Sequence, residues 1–288
     1  MLLVEVIGIF LFILVFGYFL PAGQFYYKYH LRPDPSHELH PIQSRRPTRS
    51  GIWREVRLSV VTIAIFAALA TLLLELWKAD KTSVYLNPHE FSLAYLPFSF
   101  VLCLVLHDTY FYWTHRFMHW RPVFPYIHLG HHRSVSPTPW AIYAFQPLEA
   151  IIQFCGIILL VVFVPLHPLV LLAFLSYDTL VNTAGHTGYE LVPKAISSHW
   201  LFKPFNTVTH HDTHHTNVRV NFGSFFNIWD RIMGTFSGSS ADVRKPMPRR
   251  PPLRSPESAQ FVDGVRPSRA LIVACGRSEQ NPFTLAKN

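Results

Sequence analysis

The sequence predicts an all-α integral membrane protein whose transmembrane helices carry a cytoplasmic, histidine-rich helical cap. Half of the 288 residues are hydrophobic and gathered into long apolar runs, while only 15% are charged. A soluble domain typically carries about a quarter charged residues. The third observation is histidine, which occurs 17 times and is concentrated in residues 107–132 and 186–215.

Three apolar runs are candidates for membrane spans, because a helix of about 20 apolar residues crosses a hydrocarbon core about 30 Å thick. These runs are residues 2–20, 58–77 and 91–106. Two shorter runs, residues 148–164 and 169–181, are separated by Pro165 and Pro168, which favour a break between two helices. A cleaved signal peptide is the alternative interpretation of the first run, although no basic residue precedes it.

Basic residues predict the orientation of these spans. Seven lysines and arginines lie between residues 28 and 57, so this loop should face the cytoplasm. The third span then delivers the first histidine window to the cytoplasm, and residues 148–181 must turn back as a hairpin to bring the second window to the same side. Because topology accounts for the net charge of +8, and the basic residues form no aromatic-interleaved stripe, we predict no nucleic-acid partner.

Eight histidines form three clusters spaced by one helical turn, which places their imidazoles on one face. The clusters are His115 and His119; His128, His131 and His132; and His211, His214 and His215. With His186 as a ninth candidate they exceed the roughly four ligands of a single zinc ion, so the sequence predicts two metal ions. The roles of His107, His199 and His210 stay open at this point.

The identity of the metal follows from the ligands and the setting. The three cysteines form no Cys-x-x-Cys site, so nitrogen or oxygen must hold the metal. Imidazole suits zinc, iron, copper and nickel, but zinc lacks redox chemistry. A site beside the lipid phase suits oxidation of unactivated C–H bonds, so we predict two iron ions and keep zinc as a possible bound species. Since His-Pro-Gly-Gly and Gly-x-Gly-x-x-Gly motifs are absent, we predict neither haem nor flavin in this chain.

These motifs resemble the fatty acid hydroxylase and sterol desaturase superfamily, a group of membrane di-iron proteins with histidine boxes. The family pattern of one His-x3-His and two His-x2-His-His boxes is met by the three clusters. The flanks Tyr-Trp-Thr-His-Arg at residues 112–116 and Trp-Asp-Arg-Ile-Met-Gly-Thr at residues 229–235 also match. His186, followed by Thr-Gly-Tyr-Glu, resembles the intermediate histidine ligand of the family. The resemblance covers about residues 92–236.

The resemblance implies an O2-dependent oxidoreductase that hydroxylates a C–H bond of a sterol, fatty acid or sphingolipid. Desaturation or methyl oxidation of such a lipid is the alternative. Reducing electrons would come from a separate donor such as cytochrome b5 or ferredoxin with its reductase. The implied location is a multi-pass membrane protein with a cytoplasmic active site, in the endoplasmic reticulum of a eukaryote or the inner membrane of a bacterium.

Two functions of other classes fit the sequence less well. A metal transporter places ionisable ligands within its spans near mid-bilayer, whereas these clusters lie beyond the predicted spans. A hydrolase that activates zinc-bound water needs fewer ligands and an open coordination position.

The domain prediction has three parts. Residues 1–90 form an N-terminal transmembrane region with a basic cytoplasmic loop, residues 91–236 form the catalytic domain, and residues 237–288 form a basic, proline-rich, disordered tail. Within the catalytic domain we expect side chains of three residues to orient the ligands and one pair to act as a structural cap. The expected orienting residues are Asp108, Asn182 and Asp212, and the cap is Asp230 with Arg231. Tyr110, Tyr112, Trp113 and Trp140 could line the lipid entry, but aromatics at a membrane interface more often serve as anchors.

Overall fold

The computed structural model describes residues 1–32, 41–43 and 45–238, and its regular elements are helices, with isolated β-bridges and no strands among these residues. All but the first two residues of the predicted disordered tail lie outside this range. The helices are α1 (Leu2–Leu31), α2 (Arg49–Lys78), α3 (Tyr95–Met118), α4 (Phe124–Ile127), α5 (Leu129–His132), α6 (Pro147–Phe163), α7 (Pro168–Gly185), α8 (Lys194–Ser197), α9 (Val208–Thr216) and α10 (Ile228–Ile232).

Among the described helices, α1 and α2 are each long and apolar enough to cross a membrane. Both have 30 residues, with mean hydropathies of 2.6 and 2.3 over their most apolar windows, and only 6% of the α1 window is buried inside the protein. Leu3, Val4 and Phe16 are among the large apolar side chains that α1 exposes. An exposed apolar surface of this kind is typical of contact with lipid.

The predicted third span is the first half of a longer helix. Helix α3 begins at Tyr95 and continues beyond the apolar run to Met118, so that it carries the first histidine box as a rigid extension. This continuity fixes the orientation of His115 relative to the apolar part of the helix, because residues eight apart on a helix lie about 12 Å apart along its axis.

The predicted hairpin over residues 148–181 is confirmed. Helix α6 ends at Phe163 and α7 begins at Pro168, where the His167 side chain accepts a hydrogen bond from the backbone N–H of Leu169 at 3.2 Å. Glu149 at the start of α6 and His186 at the end of α7 both lie beside the histidine clusters, so the chain leaves the clusters and returns to them.

Helix α3 packs against both arms of this hairpin. Cys103 and Leu104 of α3 lie in one buried cluster with Leu160 of α6 and Phe174 of α7.

A second cluster joins Tyr18 of α1 to the segment before α6. Tyr18 Oη donates a hydrogen bond to the carbonyl of Trp140 at 2.9 Å, and Ser59 Oγ of α2 donates to the same oxygen at 3.0 Å. The two apolar helices thereby hold the segment that follows the second histidine box.

Candidate metal centre

The nine predicted histidines converge from four parts of the chain into two adjacent groups. The first group contains His115, His119, His128, His132 and His214, and the second contains His131, His186, His211 and His215. Within each group the candidate ligand nitrogens all lie within 4.8 Å of one another. Most of these side chains are buried; His119 and His211 are partly buried.

Each His-x2-His-His box divides its histidines between the two groups. In the second box His128 and His132 join the first group, whereas His131 joins the second. In the third box His211 and His215 share the second group, and His214 crosses to the first. Within a box, the two histidines four residues apart point in nearly the same direction, whereas the histidine three residues after the first points to a different side of the helix. One helical turn can therefore contribute histidines to both groups.

The Nε2 atoms of each group face one another at short range. In the first group His115 Nε2 lies 3.0 Å from His128 Nε2, and His132 Nε2 lies 3.1 Å from both His128 Nε2 and His214 Nε2. In the second group His211 Nε2 lies 3.1 Å from the Nε2 atoms of His186 and His215. Ligands on one metal ion, each bound at about 2.1 Å, have nitrogens separated by roughly 3 Å, so these spacings fit coordination.

The contacts of the other ring nitrogen, Nδ1, determine which nitrogen of each histidine carries the proton. His115 Nδ1 lies 2.8 Å from the Phe222 carbonyl, His214 Nδ1 lies 2.7 Å from the Val220 carbonyl, and His186 Nδ1 lies 2.7 Å from the Asn182 carbonyl. A carbonyl only accepts, so each Nδ1 must carry the proton and each Nε2 must present a lone pair.

Facing lone pairs cannot bond to one another. His128 Nδ1 lies 2.6 Å from Glu149 Oε1, and an ionised Glu149 would place the proton on Nδ1 of His128 as well. With Glu149 ionised, the 3.0 Å approach of His115 Nε2 to His128 Nε2 joins two acceptors and is favourable only with a cation between them. The donor set fits two metal ions held by neutral imidazoles.

Burial keeps these imidazoles neutral. It lowers the pKa of His115 and of His186 to about 4, against backbone hydrogen bonds that favour the charged form. Burial also lowers the pKa of His128 and of His215 well below the ordinary range, and the neighbouring imidazoles lower it further. Neutral imidazole is the form that binds a metal, so the site is ready for coordination at neutral pH.

A loop after α9 positions the carbonyls that orient His115 and His214. Asp230, fully buried on α10, accepts hydrogen bonds from the backbone N–H of Phe222 and of Gly223, both at 2.9 Å. Asp108 of α3 accepts three more, including one from Phe225 N–H at 2.7 Å. The interpretation of Asp230 as a structural cap agrees with this geometry, while Asp108 orients the loop and not a histidine directly.

Of the other two expected orienting residues, Asn182 acts through its backbone as well as through its side chain. Asn182 holds His186 with its backbone carbonyl, while its side chain donates a hydrogen bond to Asp178 Oδ1 at 2.8 Å. Asp212 is buried within α9 beside the third box.

The three histidines left open lie outside both groups. His210 closes the N-terminus of α9, where its Nδ1 accepts a hydrogen bond from Thr207 N–H at 3.0 Å. His199 is exposed and accepts from Leu201 N–H through Nδ1. His107 is buried two helical turns before His115 and lines a cavity.

That cavity, of about 890 Å³, lies among α1, α2, α6 and α7 and is lined almost entirely by apolar side chains. It ends beside both histidine groups: Phe111 of its wall packs on His115 with ring centroids 5.0 Å apart, and Phe145 packs on His131 at 5.4 Å. Ligand pockets commonly measure about 300–1,000 Å³, so the volume suits a large apolar molecule.

The aromatic residues expected along the lipid path do not line this cavity. Tyr110 Oη donates a hydrogen bond to the Ile152 carbonyl at 2.7 Å, and Trp113 packs edge-on against Trp229. Tyr112 Oη and Trp140 likewise form contacts within the fold, with Thr235 and with Tyr18. These four side chains are therefore not part of the wall of this cavity.

Glu149 is the functional candidate that the sequence analysis missed. Its side chain is fully buried and its Oε2 has no hydrogen-bond partner among the described residues. It stands within the predicted apolar segment 148–164, and an ionisable residue in such a segment is by itself a signal of function.

Comparison with known proteins shows what the residues of this site are similar to. The fatty acid hydroxylase family model matches residues 100–235, which contain all nine clustered histidines. No solved structure matches the chain.

Three similar proteins are named for the oxidation or desaturation of sterols. Lathosterol oxidase of Homo sapiens is 30% identical over 200 residues, which are 69% of this chain and 63% of that protein. A Delta(7)-sterol 5(6)-desaturase of Gibberella zeae is 29% identical over 170 residues, 59% of this chain and 49% of that protein. Methylsterol monooxygenase 1 of Rattus norvegicus is 34% identical over 134 residues, 46% and 44% of the two chains. The match thus spans 44–63% of the length of these relatives.

Proposed function

We propose that this chain is a membrane-bound oxygenase of the fatty acid hydroxylase and sterol desaturase superfamily, and that it hydroxylates a C–H bond of a lipid. The observation that carries the proposal is the pair of histidine groups, with facing Nε2 lone pairs, at the end of an apolar cavity. The nine histidines would hold two iron ions, which supply the activation of dioxygen when bound.

The residues of this chain supply positioning and protection. Apolar side chains such as Phe111 and Phe145 line the end of the cavity beside the histidine groups and would exclude water from the lipid's reacting end. Glu149 and the carbonyls of the loop after α9 fix the protonated nitrogen of their histidines, and this keeps the lone pairs directed inward.

The substrate we propose is a sterol, fatty acid or sphingolipid that reaches the cavity from the membrane. The apolar lining and the volume of about 890 Å³ favour such a molecule over a polar metabolite. Hydroxylation consumes O2, two electrons and two protons, and it releases the lipid alcohol and water. The electrons would come from a separate donor such as cytochrome b5 or ferredoxin with its reductase, for which the exposed Arg121 and Arg133 beside the second box offer a basic surface.

Desaturation is the second candidate, because one of the three similar proteins is named a sterol desaturase. It uses the same histidines and removes two hydrogens from adjacent carbons in place of inserting oxygen. For either reaction we propose a multi-pass protein whose active site faces the cytoplasm, since the basic residues between α1 and α2 favour that side.

The test is comparative mass spectrometry of lipids from membranes that contain the wild-type chain or the His131→Ala variant, with an electron donor supplied. We expect a lipid that gains one oxygen only with wild type, and a matched His199→Ala variant should retain the product, because His199 is exposed and outside both groups. A lipid that loses two hydrogens would favour desaturation. Equal lipid profiles together with purified protein that holds no iron would contradict the proposal.

A further inference from the structure

The wall of the mainly apolar cavity contains a pair of ionisable residues that the histidine groups do not use. His107 of α3 and Asp178 of α7 lie side by side in this wall, with His107 Nε2 3.9 Å from Asp178 Oδ1. This separation is too long for a hydrogen bond and short enough for one oxygen atom to bridge both groups.

Both residues have hydrogen-bonding capacity to spare. His107 is only 6% exposed, and its Nε2, the ring nitrogen nearer Asp178, forms no hydrogen bond with the residues that the structure describes. Asp178 Oδ1 accepts from Asn182 Nδ2 at 2.8 Å, but no described residue donates to Oδ2. The Asp178 side chain keeps 21% of its surface accessible, on the side of the cavity. Unpaired polar atoms in an apolar wall are costly, so a ligand that satisfies them gains affinity.

The position of the pair along the helices relates it to the metal centre. His107 lies eight residues before His115 on α3, and Asp178 lies eight residues before His186, at the end of α7. Eight helical residues span about 12 Å, so the polar pair lies two turns from one ligand of each histidine group. A lipid anchored at this pair would place a carbon at a fixed distance from its polar substituent beside the histidines.

We infer that His107 and Asp178 form an anchor for the hydroxyl group of the lipid substrate and thereby determine which lipids are bound and which carbon is presented. A hydroxyl both donates and accepts, so it can donate to Asp178 and contact His107 at the same time. The inference rests on the proposed function, but lipid binding at the anchor can be measured without turnover.

The test is equilibrium binding of two pairs of radiolabelled lipids to the purified full chain in detergent: cholesterol with 5-cholestene, and 1-octadecanol with octadecane. Within a pair only the hydroxyl differs. We expect the wild-type chain to prefer at least one alcohol by about 10- to 100-fold, the range for a hydrogen bond to a charged group. Asp178→Leu, which is close to isosteric, should abolish the preference and leave binding of the deoxy lipid within about twofold.

Two further variants keep the test decisive. Ser176→Ala, a polar cavity residue on the same helix, should retain the preference. If Asp178→Leu does not fold, judged by lost binding of the deoxy lipid, His107→Phe removes the other half of the anchor and should give the same loss. A wild-type chain without preference in either pair, or variants that retain the full preference, would overturn the inference. Retained anchoring without any lipid oxidation would contradict the proposed function alone.

Discussion

Substitution of Glu149, which contacts His128, best distinguishes the two proposed metal sites, because it should affect only one of them. Glu149 Oε1 lies 2.6 Å from His128 Nδ1, both side chains are buried, and His128 belongs to the first group only. Replacement by alanine leaves the Nδ1 proton without an acceptor, and the imidazole can then rotate or change tautomer. Loss of such a partner typically reduces metal affinity about 10- to 100-fold, equivalent to about 1.4–2.7 kcal/mol.

Glutamine at the same position keeps an acceptor oxygen but removes the charge. A charge-assisted hydrogen bond contributes about twice as much as a neutral one, so Glu149→Gln should cost roughly half as much free energy as Glu149→Ala. The assay is iron per chain after equilibration with a graded series of chelator concentrations. We expect Glu149→Ala to lose one ion at a chelator concentration about 10- to 100-fold lower than wild type, while the second group retains its ion.

The matched control is Glu75→Gln, which removes a carboxylate on α2 whose side chain is 45% exposed. It should leave both chelator midpoints unchanged. Midpoints in Glu149→Ala equal to wild type would refute the role of Glu149, and simultaneous loss of both ions would refute the division of the histidines into two groups.

Three further predictions test the geometry around the centre. Gly223→Ala should reduce iron binding to the first group, because a Cβ there would collide with the Phe226 carbonyl and displace the loop that orients His115. Gly8→Ala is the control: a Cβ at Gly8 meets no other atom, so this variant should have the iron content of wild type. His210→Ala should bind two iron ions yet unfold more easily by about 0.5–2 kcal/mol in denaturant titration, since it loses a helix cap and no ligand. Removal of metal by a chelator should lower the melting temperature, because lone pairs 3.0 Å apart are left without a cation.

Each of these has an outcome that contradicts it. Unchanged iron in Gly223→Ala would mean that the loop does not orient the first group. Loss of iron in His210→Ala would make that histidine a ligand. A chelated protein that melts at the same temperature as the iron-loaded one would show that the facing nitrogens need no cation.

The sequence predicted which histidines lie together in the structure, because their spacing reports local helical geometry. His115 with His119, and the two other boxes, are arranged by single helical turns, and the break at residues 165–168 is fixed by prolines, so neither depends on distant contacts. The hairpin followed from the requirement that both windows meet, and the structure has it.

The division of histidines between two sites could not be read from spacing. Whether His131 faces His128 or His186 depends on how α5 packs against α7 and α9, which is a tertiary property. Glu149 was hidden by the apolar residues around it, and the carbonyls of Phe222 and Val220 carry no side-chain signature at all. The cavity wall could not be predicted for the same reason, since it is formed by helices distant in sequence.

The central claim is that two neighbouring histidine groups each hold an iron ion beside a lipid cavity. Diffraction from crystals of the iron-loaded chain, recorded at the iron absorption edge, tests it most directly. The account predicts two anomalous peaks per chain, one about 2.1 Å from Nε2 of His115 and His128 and the other at that distance from Nε2 of His186 and His211. A single peak, or peaks away from these nitrogens, would contradict it.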